Sequence, residues 1–203
     1  MRTLAIECAT EACSVALFED ETPVAHDHRV LGRGHAERLV PMIAALPDRG
    51  RADRILVSLG PGSFTGVRIG IATARALGYA WGAEVVGYPT LALIAAMVRA
   101  EHPGEPVDVC TTGGHGEWFV QQFDAEGFAD GDVRSLPPDE AAQAIDATLV
   151  GGTQAEALVA RRGHGEAFAL HPDARFALRV PAPLLSTEPH PIYGRPPDAR
   201  PSV

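Results

Sequence analysis

Glu7 closes a short apolar run, Thr3-Leu4-Ala5-Ile6-Glu7-Cys8, and is followed by the turn Ala9-Thr10-Glu11-Ala12. A carboxylate placed there is suited to holding a magnesium ion near nucleotide phosphates, so Glu7 and Thr10 are the candidate cofactor-binding residues. The plainer reading is a carboxylate satisfied by the amides of its own turn, and it is favoured because nothing else in the sequence supplies phosphate chemistry. The second candidate is Ser63, inside Gly60-Pro61-Gly62-Ser63-Phe64-Thr65-Gly66-Val67-Arg68-Ile69-Gly70. A dinucleotide loop would need glycine where Thr65 stands, and the acidic Glu84 precedes its strand instead of ending it. A nucleophile elbow would need glycine where Pro61 stands. What remains is a tight turn with a serine helix cap.

Several chemistries are excluded by residue type. All 17 basic residues are arginine. Without lysine there is no P-loop, no Schiff base and no serine–lysine pair. No two of the eight histidines stand four apart on a helix, so no metal site is expected. The three cysteines, Cys8, Cys13 and Cys110, form no CxxC pair and are read as reduced, partly buried thiols. A formal net charge of −9 weighs against strong direct contact with nucleic acid.

These residues need elements to position them. Strands are expected over 3–8, 13–19 and 23–30 as an antiparallel meander. A helix over 35–46 follows, bent by Pro41, and then a buried strand over 55–59. Ser63 caps a helix from Phe64 to Tyr79; a strand over 85–88 and an apolar helix over 89–100 complete this half. Along the 64–79 helix, Gly66, Gly70, Ala74 and Gly78 recur every four residues. Interior glycines cost about 1 kcal/mol each relative to alanine, and close approach of another backbone would offset that. Such a stripe points to packing against another subunit.

The second half is read more coarsely. Strands are expected over 107–110, 118–123, 148–150 and 168–170, with a helix after Gly151-Gly152 running to Arg161. Strand, glycine pair and helix there echo the first half. The organisation expected is a lobe over 1–100, a shorter lobe over 101–180 and a proline-rich tail over 181–203. The apolar start is broken at Glu7, too early for a signal peptide, and no run is long enough to span a bilayer, so a cytoplasmic location is expected.

Three stretches, LAIECATEACSVALFED, HAERLVPMI and LGPGSFTGVRIGIATARALGYA, in this order and spacing, resemble the TsaB (YeaZ) family. Weaker matches are Gly116-Glu117-Trp118-Phe119, Gly151-Gly152 and Pro191-Ile192-Tyr193-Gly194-Arg195. The resemblance implies an α/β, actin-like ATPase (ASKHA, ribonuclease H-like) fold of two related lobes, the second one short. It implies a non-catalytic subunit supporting TsaD, which forms N6-threonylcarbamoyladenosine beside the anticodon of tRNAs reading ANN codons. TsaD carries a metal-binding histidine pair where this chain has Thr90 and Ile94, so no catalytic residue, metal or cofactor is expected here. The family's usual aspartate is Glu7 in this sequence, and its Asp-Ala-Arg-like stretch is replaced by Thr112-Gly113-Gly114-His115.

The expected partners are TsaD as a heterodimer, the ATPase TsaE through the complex, tRNA indirectly, and a second copy when TsaD is absent; no membrane contact is expected. The interface is expected on His35, Leu39, Ile43, Gly66, Val67, Arg68, Gly70, Ile71, Ala74 and Arg75. The alternatives are an ATP-binding enzyme of the actin-like superfamily and, less favoured, a metallopeptidase.

Overall fold

Ten short strands alternate with five helices among the described residues, and the element order repeats itself. The structure, a computed structural model, describes residues 1–194. The end of the expected tail, residues 195–203, lies outside the described residues.

In the first half β1 (Arg2–Glu7), β2 (Ala12–Glu19) and β3 (Thr22–Val30) form an antiparallel meander. β4 (Arg54–Ser58) and β5 (Glu84–Tyr88) extend the sheet in parallel, in the order β3-β2-β1-β4-β5. Helix α1 (His35–Ala45) links β3 to β4, and α2 (Phe64–Trp81) links β4 to β5. The central strands β1 and β2 are almost wholly buried, as their unbroken apolar runs require, whereas edge strand β3 is largely exposed.

The second half repeats this plan. Strands β6 (Val107–Thr112), β7 (Trp118–Phe123) and β8 (Ala129–Leu136) make a second meander. β9 (Leu149–Gly151) and β10 (Glu166–Phe168) extend it in parallel, in the order β10-β9-β6-β7-β8. α4 (Pro138–Ala144) and α5 (Ala155–Arg162) occupy the places of α1 and α2. The Gly151-Gly152 turn between β9 and α5 therefore does echo the glycine-rich turn between β4 and α2.

Helix α3 (Thr90–Arg99) joins the halves. It is apolar all round because it lies between the two sheets: Leu91, Leu93 and Ile94 pack with Tyr88 and Leu56 of the first sheet and Val109 and Phe123 of the second. The outer face of the first sheet is covered by α1 and α2, through Leu39, Ile43, Val67 and Ile71. The outer face of the second is covered by α4 and α5, through Ala141, Ala155 and Leu158.

The segment over 181–194 is docked along the first half. Gly87 and Ser186 exchange backbone hydrogen bonds of 2.7 and 2.9 Å, and the Ile192 amide donates to the Leu59 carbonyl at 2.7 Å. A buried ion pair ties the second half together: Arg162 sits 3.1 Å from Asp108, with side chains 3% and 0% exposed.

Candidate interlobe cleft and helical docking face

The turn after β1 is built around Glu7. Its carboxylate accepts from the Ala9 amide at 2.7 Å and from the Thr90 hydroxyl at 3.5 Å. Burial pushes its pKa up to about 7, against the pull of hydrogen bonds involving Ala9, Ser58, Tyr88 and Thr90. Glu7 is fully buried, while Thr10, whose hydroxyl accepts from the Ala12 amide at 3.2 Å, reaches a cleft. The two cofactor candidates are thus not brought to one site. Glu7 is held by turn amide and hydroxyl, and only Thr10 faces open space.

The glycine-rich loop lies directly over this turn. The Ser63 amide donates to the Ala9 carbonyl at 2.6 Å, and the Ser63 hydroxyl caps α2 by accepting from the Gly66 amide at 3.2 Å. A Cβ at Gly62 or Gly66 would run into the backbone carbonyl of Ala9 or Cys8. These glycines permit contact between α2 and the chain's own first strand.

Between the lobes is a cleft of about 860 Å³. One wall is the Ala9–Glu11 turn with Ser63, and the facing wall is Thr111 to Gly114 with Thr153. Thr112 is fixed there by Gln154, which donates to its hydroxyl at 2.9 Å, and by its own amide donating to the Thr153 hydroxyl at 3.0 Å. The mouth is aromatic: Phe64 and Tyr193 rings lie 5.7 Å apart, and the Arg68 guanidinium sits 3.5 Å from the Phe64 ring centre. Arg68 also donates to the Tyr193 hydroxyl at 3.0 Å, and Arg75 donates to the Pro189 carbonyl at 2.8 Å. The motifs that contain Phe64 and Tyr193 gave these residues no role, and nothing in the sequence singled out Thr111 or Thr153, because the four line one cleft only in the folded chain.

The packing buries most of the residues expected at the interface. His35, Leu39, Ile43, Gly66, Val67, Gly70, Ile71 and Ala74 are all buried against the first sheet. His35 lies 3.2 Å from the Ala12 carbonyl, and a Cβ at Gly70 would meet Cys8 and Val57 at 3.5 Å. The glycine stripe therefore admits the chain's own strands. Of the expected set, only Arg68 and Arg75 reach the surface. The outward side of α2 carries a different small-residue stripe, Ala72, Ala76 and Ala80, beside Tyr79, which is 95% exposed. It is set two residues on from the glycines, about 200° round the helix. Neighbouring α1 exposes Val40, Pro41 and Ala44, with Val40 54% exposed.

Thr90 and Ile94 are fully buried in α3, between the sheets. No helix among the described residues is long and apolar enough to cross a membrane.

The family model for TsaD, tRNA N6-adenosine threonylcarbamoyltransferase, matches residues 29–176. The chain belongs to that family. Within it the resemblance is to the TsaB, or YeaZ, members. The Escherichia coli K12 tRNA threonylcarbamoyladenosine biosynthesis protein TsaB is 46% identical over 102 residues, covering 47% of this chain and 43% of that protein. The match thus spans less than half the length of this curated relative. A solved structure of a protein described as similar to peptidase YeaZ from Pseudomonas aeruginosa is 29% identical, covers 96% of this chain and 99% of its own, and superposes with a TM-score of 0.80. YeaZ from Pseudomonas aeruginosa gives 27% identity, 95% and 99% coverage and a TM-score of 0.77. The fold is the α/β, actin-like one, with two sheets of the same strand order.

Proposed function

We propose that this chain is a non-catalytic subunit in the formation of N6-threonylcarbamoyladenosine on tRNA, acting by docking onto a TsaD-type transferase. The observation that carries this reading is the outward side of α1 and α2. It presents Val40, Ala72, Ala76 and the almost fully exposed Tyr79 on a pair of helices already fixed against a sheet. Small side chains let a partner helix approach closely, and an aromatic supplies contact area at low entropic cost. In this reading the subunit holds TsaD in its active arrangement and helps recruit TsaE, and the same face pairs two copies when TsaD is absent. The formal charge of −9 supports an indirect role toward tRNA, with the partner making the phosphate contacts. Burial of Glu7, Thr90 and Ile94 supports the absence of an independent catalytic site.

Reconstitution tests the proposal. Modification of an ANN-decoding tRNA is expected from TsaD, TsaE and the threonylcarbamoyl donor with this chain present, and not from this chain alone with tRNA and donor. Threonylcarbamoyl transfer by this chain alone would refute it. A second reading, ATP binding, draws on the 860 Å³ cleft with Thr10 and Thr112 on opposite walls. Calorimetry with Mg-ATP separates the two: micromolar binding with turnover would favour the enzyme.

A further inference from the structure

Cys8 and Cys13 stand at the end of the first hairpin. The paired register of β1 and β2 ends at Glu7 and Ser14, so Cys8, just past β1, stands opposite Cys13 of β2. Their sulfurs lie 3.6 Å apart, both buried, with neither in a disulfide. The turn between them, Ala9 to Glu11, is a wall of the interlobe cleft. Both outer helices rest on this hairpin end. The His35 ring at the start of α1 meets the Ala12 carbonyl at 3.2 Å, and Gly66 in the first turn of α2 packs on the Cys8 carbonyl.

We infer that Cys8 and Cys13 are a reversible dithiol–disulfide pair that sets the seat of α1 and α2. Two features of the site favour the exchange, and a third limits its oxidant. The sulfurs face each other across adjacent strands, where a small backbone movement closes the bond. The two thiols share a hydrogen bond, so when one loses its proton the other donates to the thiolate that forms. Burial of both sulfurs restricts the oxidant to a small molecule, of the hydrogen peroxide class. The Cys13 thiolate attacks one peroxide oxygen; the O–O bond breaks and the departing hydroxide takes up a proton to become water. The Cys8 sulfur then attacks the sulfur of the resulting sulfenic acid, and its proton leaves with the hydroxyl as a second water. Two thiols and one peroxide thus give one disulfide and two waters, and a dithiol reductant reverses the step. Cys110 lies apart, on β6, with burial pushing its thiol up to about 12, so it serves as an internal control.

The experiment counts thiols in the full chain. The reduced protein carries three. Treatment with hydrogen peroxide followed by alkylation in denaturant is expected to leave one alkylated thiol per chain, Cys110, and dithiothreitol is expected to restore all three. Digestion after Arg2 and Arg29 should return both cysteines in one peptide, lighter by about 2 Da for the two hydrogens lost. Cys110→Ser should then leave no free thiol after oxidation, and Cys13→Ser should abolish the paired loss. Three thiols surviving peroxide that fully oxidises a dithiol peptide would overturn the inference. So would a disulfide mapping to Cys110 or linking two chains.

Discussion

Alanine in place of glycine should act in opposite directions at two positions one turn apart on α2. Both substitutions gain up to about 1 kcal/mol of helix propensity. At Gly70 the new Cβ would meet Cys8 Cβ and Val57 Cγ2 at 3.5 Å and Ile6 Cγ2 at 3.9 Å, ordinary van der Waals separations. Gly70→Ala should therefore be neutral to stabilising, by up to about 1 kcal/mol. At Gly66 the new Cβ would collide with the Cys8 carbonyl oxygen, a buried backbone atom just past the end of β1 that has no rotamer to give. Relief requires lifting the start of α2 off β1. That belongs at the upper end of the about 1–3 kcal/mol cost of overpacking, for a net loss of about 2 kcal/mol after the propensity gain. For a chain of this size about 1 kcal/mol moves the melting temperature by roughly 2–4 °C. Thermal unfolding followed by circular dichroism should show Gly66→Ala melting roughly 4–8 °C below the parent protein and Gly70→Ala at or above it. Equal shifts, or a stabilised Gly66→Ala protein, would refute the claim that the glycine stripe is seated on the first strand.

Further outcomes follow from the buried charges. Glu7 has its folded pKa raised to about 7 from an ordinary 4.5, so the native state binds the extra proton between these values. Its contribution is therefore full at acid pH and is lost as pH rises to about 7, by up to roughly 3 kcal/mol. Glu7→Gln should abolish that component, so urea denaturation of both proteins at pH 5 and pH 8 should show the variant gaining on the parent as pH rises. A difference independent of pH would contradict the buried, protonated carboxyl. Arg162→Met leaves Asp108 buried without its cation and should cost about 3–5 kcal/mol by chemical denaturation. Adding Asp108→Leu to that variant should recover much of the loss, and no recovery would show that the pair matters through something other than charge.

Much of the first half was legible because its signals are local. Unbroken apolar runs marked the buried strands, Ser63 marked the start of α2, and Pro89-Thr90 marked the start of α3. The second half was harder for stated reasons. β8, Ala129–Leu136, carries three charged or glycine positions in a row, Asp130-Gly131-Asp132, and fully buries none of its residues, so it has no apolar alternation to read. Helix α4, Pro138–Ala144, buries only Ala141 and gives no periodic stripe. The outward side of α2 was overlooked for a different reason. A glycine stripe announces close approach but not what approaches, and here the neighbour is the strand that folds beneath it. The alanines at 72, 76 and 80 carried the outward signal at the same four-residue spacing. The aromatic mouth of the cleft was invisible because Phe64 and Tyr193 meet only when the segment over 181–194 folds back.

The account rests on the outward side of α1 and α2 being where a TsaD-type partner binds. Isothermal titration of purified TsaD with this chain and with its Ala76→Arg and Tyr79→Asp variants tests it directly. Both substitutions are on solvent-facing positions, so melting should stay within about 0.5 kcal/mol of the parent. The account predicts that binding by the parent is weakened at least about 100-fold in each variant, equivalent to about 2.7 kcal/mol. Variants that bind TsaD as tightly as the parent would contradict it.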